Sequence, residues 1–409
     1  MDKNIHSLFS DLLVGLSSAV YADGAPINGY RGYLRPQDDR EAKRRGDICV
    51  SAVKANMIGD FERNETDAER EGTVPDRMVH VSTFTKIGDM IYMTYYANVS
   101  TGEEDPKYQE ARLAFCREAE PENKTILCLQ KVGDVCGGKT VTAVYDTVLM
   151  QKDEDVLFLL WTAALDGMYY RLYRTFDVRK RKLGDIGVNR LQVGDITVDF
   201  STEGIKGALA ENHIPQKRMF NDIGIMQKLS VRKENGEDVF YTGAYSGFLN
   251  FIVRSRDFVT WEYVSAPDFV NFSKWENAVY VLSDRVYYFV RQDECMQGFL
   301  TYYDLTTKKW QTPMLISDCG SRSDFLLYDG RLYLISAPKD RNGFGITKIC
   351  TDDLMNSVPV LVADFSESCF YPYTKIYDGQ VYVSYTVDRK HIRLSRFPAE
   401  LLGAEETHA

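Results

Sequence analysis

The sequence predicts an all-β protein, a six-bladed β-propeller with a short N-terminal helix. Three observations carry this. A strand, tight turn, strand unit recurs along the chain. Asp-Gly pairs stand between apolar runs at 329–330 and 378–379, a strong hairpin signal. The 26 tyrosines and 21 phenylalanines favour strands. A five-bladed propeller and a two-domain sandwich are the alternative architectures, but a sandwich has no reason to open strand after strand with an acid.

A length of 409 residues would suggest two or three domains. Stacked repeats add to one continuous core instead. The expected organisation is a helix and loop over 1–45, one propeller domain over 46–400 and a tail over 401–409. Leu8, Leu12, Leu13 and Leu16 share a helical face that would pack on the body. The same stretch imitates a signal peptide only faintly, because Lys3 is its sole positive charge and Asp11 interrupts the apolar run. Arg31 and Arg35 then lie among aromatics, in either a solvated loop or a loop that lends an arginine to an anionic pocket. Residues 48–53 read as a strand that completes the last blade, and 58–76 as loop.

The six units follow in order. Their strands are expected at 79–84, 91–96 and 111–115; at 144–150, 156–161 and 169–176; and at 221–226, 239–242 and 251–254. The second half supplies 274–282, 285–291 and 298–304; 323–327, 332–335 and 346–349; and 370–376, 381–385 and 392–397. A helical insert is expected around 205–212.

Composition narrows the function. Lysine and arginine number 49 against 59 aspartates and glutamates, a net charge of −10, which argues against nucleic acid as a partner. The eight cysteines form no C-x-x-C pair and none has zinc-like spacing from a histidine. They read as buried thiols in a reducing setting, cytoplasmic rather than secreted. No cofactor and no metal are expected, and no apolar run is long enough to span a membrane.

In a propeller the starts of the inner strands surround one funnel. Here those starts carry His80, Asp146, Asp222, Glu276, Arg322 with Asp324, and Tyr371 with Tyr373. Any one aspartate before a strand is ordinarily a turn residue; recurrence at equivalent positions points to a site. Trp275 beside Glu276, with Arg291 returning on the next strand, suits a polar pocket. The same Arg291 could serve only as a structural partner of Glu276. Arg389 near the C-terminus is either an edge-strand guard or a pocket residue, and Asp340-Arg341 a loop ion pair or a rim contact.

Residues 255–261, Ser-Arg-Asp-Phe-Val-Thr-Trp, fit S-x-D-x-x-x-T-W, with Val259 where the motif usually has glycine. This is close to the Asp-box turn, a structural fastener that takes Asp257 and Trp261 out of the catalytic set. Tyr303-Asp304 before Trp310 is a degenerate copy.

On these residues the chain resembles the sialidase superfamily of six-bladed propellers. The segment from Trp275-Glu276 to Arg291 is similar to the one that carries the activating glutamate and one arginine of the family's triad. Gly320-Ser321-Arg322-Ser323 resembles the segment with another triad arginine. Tyr371 and Tyr373 lie where the family has its tyrosine nucleophile, and Glu104-Asp105 where it has its general acid. The resemblance implies an exo-acting glycosidase without cofactor that removes a terminal sugar from a glycan. Arg291 and Arg322 would bind a substrate carboxylate, Glu276 would take the tyrosine proton, and Asp105 would protonate the leaving oxygen. The family's first triad arginine is replaced here by His80-Val81-Ser82, with Arg31, Arg35 or Arg77 as substitutes. A two-carboxylate glycosidase or phosphorylase for neutral glycans, drawing on Asp146, Asp222, Glu276 and Asp324, is the enzymatic alternative. A non-catalytic carbohydrate-binding propeller is the alternative of another class.

Overall fold

The computed structural model describes residues 33–34, 40–215, 222–247, 249–267, 276–292, 297–317, 319, 321–338 and 341–403. The expected N-terminal face of Leu8 to Leu16, Arg31, Arg35, Trp275 and Asp340 lie outside them.

Among the described residues six sheets follow one another, each built on an antiparallel meander. The first is Met78–Ile87, Met90–Asn98, Gln109–Arg117 and Thr125–Lys131; the second opens with Lys139–Gln151, Val156–Leu165 and Met168–Asp177. The third contains Ile223–Ile225, Glu237–Ser246, Leu249–Ser255 and Thr260–Ser265. The fourth contains Asn277–Leu282, Arg285–Gln292, Gln297–Asp304 and Met314–Ser317; the fifth Asp324–Tyr328, Arg331–Ser336, Gly343–Lys348 and Val358–Asp364. The sixth is Cys369–Tyr377, Gln380–Val387, His391–Pro398 and then Met57–Asp60 from early in the chain. Repeated meanders of this kind are a β-propeller arrangement.

By contacts the chain divides into two compact units. One takes Met1–Met57, Pro267–Val383 and Ser395–Ala409; the other takes Ile58–Ala266 and Ser384–Leu394. Each has its own core. In the first, Tyr287, Phe289, Leu300, Phe325 and Leu334 are buried together; in the second, Trp161, Phe251, Phe258 and Trp261 are among the closed side chains.

The expected strand at 48–53 is wrong. Those residues form the second half of a helix, Arg40–Ala55. Its buried residues, Ala42, Gly46, Cys49 and Val53, step by four, three and four, which is the helical period. Over six residues that period cannot be told from a strand; over sixteen it can. At Gly46 the helix comes so close to the strand Val358–Asp364 that an added Cβ would lie 1.6 Å from the Val362 carbonyl oxygen, so only glycine fits. The strand that completes the sixth sheet is Met57–Asp60, just after the helix. The expected loop at 58–76 also holds a short helix, Glu65–Glu71, closed at its start by a capping box between Asn64 and Asp67. The helical insert stands at Thr202–Glu211, capped by the Ser201 hydroxyl on the Gly204 N–H at 3.1 Å.

Local turn chemistry explains the meanders. Asp329 and Gly330 have φ of 48° and 68°, and Asp378 and Gly379 have 50° and 71°, the paired positive values of the tight hairpin turn. The Asp-box forms as expected. Asp257 Oδ1 accepts from the N–H groups of Val259 and Thr260, both at 2.8 Å, and the Ser255 hydroxyl accepts from the Phe258 N–H at 2.9 Å. The turn joins two strands and seats Phe258 flat on buried Trp261, ring centroids 6.2 Å apart. Asp304 repeats it, accepting from Thr306 and Thr307 at 2.9 and 2.7 Å. A further copy, which the sequence hid, is Asp177, whose Oδ1 accepts from Lys180 N–H at 2.8 Å. Asp257→Ala is therefore expected to cost stability of about 1 kcal/mol, the size of a lost cap, with turnover unchanged; thermal unfolding and a kinetic assay check it.

Of the described cysteines, Cys49, Cys116, Cys319 and Cys369 are buried. Among those residues no helix is long and apolar enough to cross a membrane.

Candidate active site

Four of the expected residues come together in the first unit. Glu276 precedes Asn277–Leu282, Arg291 lies near the end of the neighbouring Arg285–Gln292, Arg322 precedes Asp324–Tyr328, and Tyr371 lies in Cys369–Tyr377. The pairing of Asn277 with Val290 brings Glu276 and Arg291 opposite each other, and the Arg291 N–H donates to the Glu276 carbonyl at 3.1 Å. Arg291 Nη1 donates to Glu276 Oε2 and the Tyr371 hydroxyl donates to Glu276 Oε1. The Arg322 guanidinium stands over the Tyr371 ring, 5.3 Å from its centroid. The Ser321 hydroxyl accepts from the Tyr371 N–H at 3.3 Å.

Electrostatics follows from this packing. Glu276 is only 3% exposed. Burial would raise its carboxyl pKa, but the charges of Arg291 and Arg322, with the hydrogen bonds from Tyr371 and Arg291, outweigh burial and lower it. The acid is therefore held as a carboxylate. One carboxylate against two guanidinium groups leaves a surplus positive charge, which suits an anionic ligand.

A phenol, a carboxylate and a guanidinium together do not define a site by themselves. Tyr245 donates to Asp146 at 3.0 Å beside Arg171, and Tyr241 to Glu234 at 2.5 Å beside Arg254. Tyr96 donates to Glu104 at 2.5 Å, with Arg389 paired to the same carboxylate at 3.1 Å. Tyr96, Tyr241 and Tyr245 are closed from solvent, whereas Tyr371 is partly open. Tyr371 also sits at φ 52°, a left-handed position that costs a non-glycine residue on the order of 1–3 kcal/mol and is held by the surrounding structure. The kink breaks the in–out alternation of its strand and aims the phenol at Glu276. Val81 and Asp146, both at φ 54°, bulge the first strands of their own sheets.

The other expected residues have different surroundings. Tyr373 is 3% exposed, and burial, with Asp324 and Tyr377 nearby, holds its phenol well above the usual range. It is a core aromatic. Asp324 is closed from solvent, and its Oδ2 accepts from both the N–H and the hydroxyl of Thr374 at 2.8 Å, which fastens one strand to another.

The second unit holds the rest. His80 is fully buried, with Nδ1 3.1 Å from the Thr386 hydroxyl and its ring edge-on to Tyr96. That placement is within the framework of the second unit. Asp146 is 3% exposed and lies 3.6 Å from Arg171, itself closed; Gly224 makes room, since a Cβ there would stand 2.4 Å from Asp146 Oδ2. Asp222 is half-buried, and its charge is one cause of the raised pKa of Tyr145 and Tyr169. Asp105 caps a short 3-10 turn through Lys107 N–H at 3.1 Å. It also lines a cleft of about 620 Å³ with Lys107, Val132, Thr142 and Tyr169. Arg389 is half-exposed and engaged with Glu104.

Comparison with solved structures gives the same fold. The intramolecular trans-sialidase from Ruminococcus gnavus, in complex with oseltamivir carboxylate, superposes with a TM-score of 0.53 at 10% identity, over 87% of this chain and 99% of that one. A Hadza microbial sialidase gives 0.51 at 9% identity, over 79% and 66%. The Trypanosoma rangeli sialidase in complex with sialic acid gives 0.50 at 10% identity, over 80% and 55%. This chain thus spans about half the length of the trypanosome enzyme. The fold is that of the sialidase propellers. No protein-family model matches the chain, and no curated protein does.

Proposed function

We propose that the chain is a glycoside hydrolase of sialidase form, acting on a terminal sugar that bears a carboxylate. The observation that carries this is the Tyr371 hydroxyl on Glu276, between Arg291 and Arg322. Arg322 and Arg291 bind the substrate carboxylate. Glu276 takes the phenol proton as Tyr371 Oη bonds to the anomeric carbon and the bond to the leaving oxygen breaks. A phenol with a pKa near ~10 needs such a base. It also approaches a centre bearing a carboxylate without the repulsion an anionic nucleophile would meet. The leaving oxygen takes up a proton as it departs. Water then releases the sugar from Tyr371 with Glu276 as the proton carrier in reverse, so the anomeric configuration is retained.

The test is a pair of aryl substrates, one sialoside and one neutral glycoside, offered to the full chain. Release of the aryl alcohol from the sialoside alone is the expected result. Turnover of the neutral glycoside alone would turn the reading to a two-carboxylate enzyme, and binding without turnover of either to a carbohydrate-binding propeller.

A further inference from the structure

In the second unit, Asp60 and Glu62 meet His391, which lies 329 residues beyond Glu62 in the sequence. One ligand atom from each lies within 4.8 Å of the others. His391 Nδ1 is 2.8 Å from Glu62 Oε1 and 3.9 Å from Asp60 Oδ2. The far oxygens of both carboxylates are already held. Glu62 Oε2 accepts from the Ile392 N–H at 2.9 Å, and Asp60 Oδ1 from Arg393 Nε at 3.0 Å.

We propose that Asp60, Glu62 and His391 form a divalent-cation site of zinc class that ties residues 60–62 to residues 391–393. A first-row ion with bonds of ~2.1 Å keeps neighbouring ligand atoms roughly 3.0–3.4 Å apart. The two distances at Nδ1 bracket that range, so small side-chain rotations place all three atoms around one ion. The donors outside the triad have the roles that outer partners have in metal centres: a backbone N–H and a guanidinium fix each carboxylate so that its near oxygen points inward. One imidazole with two carboxylates suits Zn²⁺ better than Ca²⁺ or Mg²⁺, which favour oxygen alone. Glu62 is buried, while His391 is 45% and Asp60 28% exposed, which leaves the ion a way in. Sequence spacing could not reveal this triad, because its halves come from opposite parts of the chain.

The experiment is Zn²⁺ titration by calorimetry and thermal unfolding, on the full chain carrying Cys128→Ser to remove an exposed thiol. One ion bound per chain is expected, with Tm raised by about 3–5 °C at a hundredfold excess over Kd. His391→Ala and Asp60→Asn are expected each to weaken binding by at least about tenfold, as loss of a partner in a metal site does. Circular dichroism checks that each variant remains folded. Absence of binding, or a Zn²⁺ shift of equal size in both variants, overturns the proposal and leaves the cluster as a plain imidazole–carboxylate ion pair. Neither readout depends on turnover, so the result stands apart from the glycosidase reading.

Discussion

Tyr371→Phe is expected to lower kcat by at least about a thousandfold, while Tyr373→Phe leaves it unchanged, as loss of a nucleophile differs from loss of a core hydroxyl. The two tyrosines are two residues apart, on the same strand, and sequence gives no means of choosing between them. The structure does. The left-handed backbone at Tyr371 points its hydroxyl at Glu276, and the Arg322 guanidinium covers its ring. Tyr373 is sealed in the core with its pKa pushed up. Tyr371→Phe removes a hydrogen bond to a charged group and costs stability of about 1.5–3 kcal/mol. KM for a carboxylate-bearing substrate stays close to its starting value, since both arginines remain. Steady-state kinetics and Tm, measured on both variants, decide it. Full turnover by Tyr371→Phe would remove the covalent step from the mechanism.

Glu276→Gln is expected to lower kcat by about 10²–10⁴-fold, the range for a lost general base. It also leaves Arg291 without its countercharge in a buried setting, a loss of about 3–5 kcal/mol. The assay therefore belongs well below the variant's Tm. The pH dependence has a definite sign. The folded-state pKa of Glu276 lies below its ordinary value. The stability from its ionised form is then complete above the unfolded carboxyl pKa, and is lost as pH falls through the lower, folded one. Activity that depends on the carboxylate is expected to persist below pH ~4.3, the usual glutamate value. The acid limb of kcat/KM disappears in Glu276→Gln; a limb unchanged in that variant would assign it to another group.

Much of this architecture could be read from the chain because its cues are local. Asp329-Gly330 and Asp378-Gly379 set their turns within two residues, and the Asp-box sets its own within seven. What escaped was whatever needed a longer view. The helix Arg40–Ala55 shows its period only over four turns. The outer strands Thr125–Lys131 and Val358–Asp364 follow short 3-10 turns, Pro121–Asn123 and Leu354–Asn356, and not tight hairpins. In the candidate site, Glu276, Arg322 and Tyr371 stand at or near strand starts and Arg291 near a strand end, positions legible in the sequence. Position alone could not exclude His80, Asp146 and Asp324, which share the same positions but are closed by Thr386, Arg171 and Thr374. Position along a strand is periodic information, whereas accessibility depends on neighbours hundreds of residues away.

The sixth sheet draws Met57–Asp60 from early in the chain and its other strands from the last forty residues of the described fold. During synthesis, at roughly 5–20 residues per second, that early segment emerges long before anything exists for it to pair with. For many seconds it is an unmatched edge, the kind of surface on which nascent chains aggregate. The protein's yield in a cell therefore rests on how well that interval is shielded.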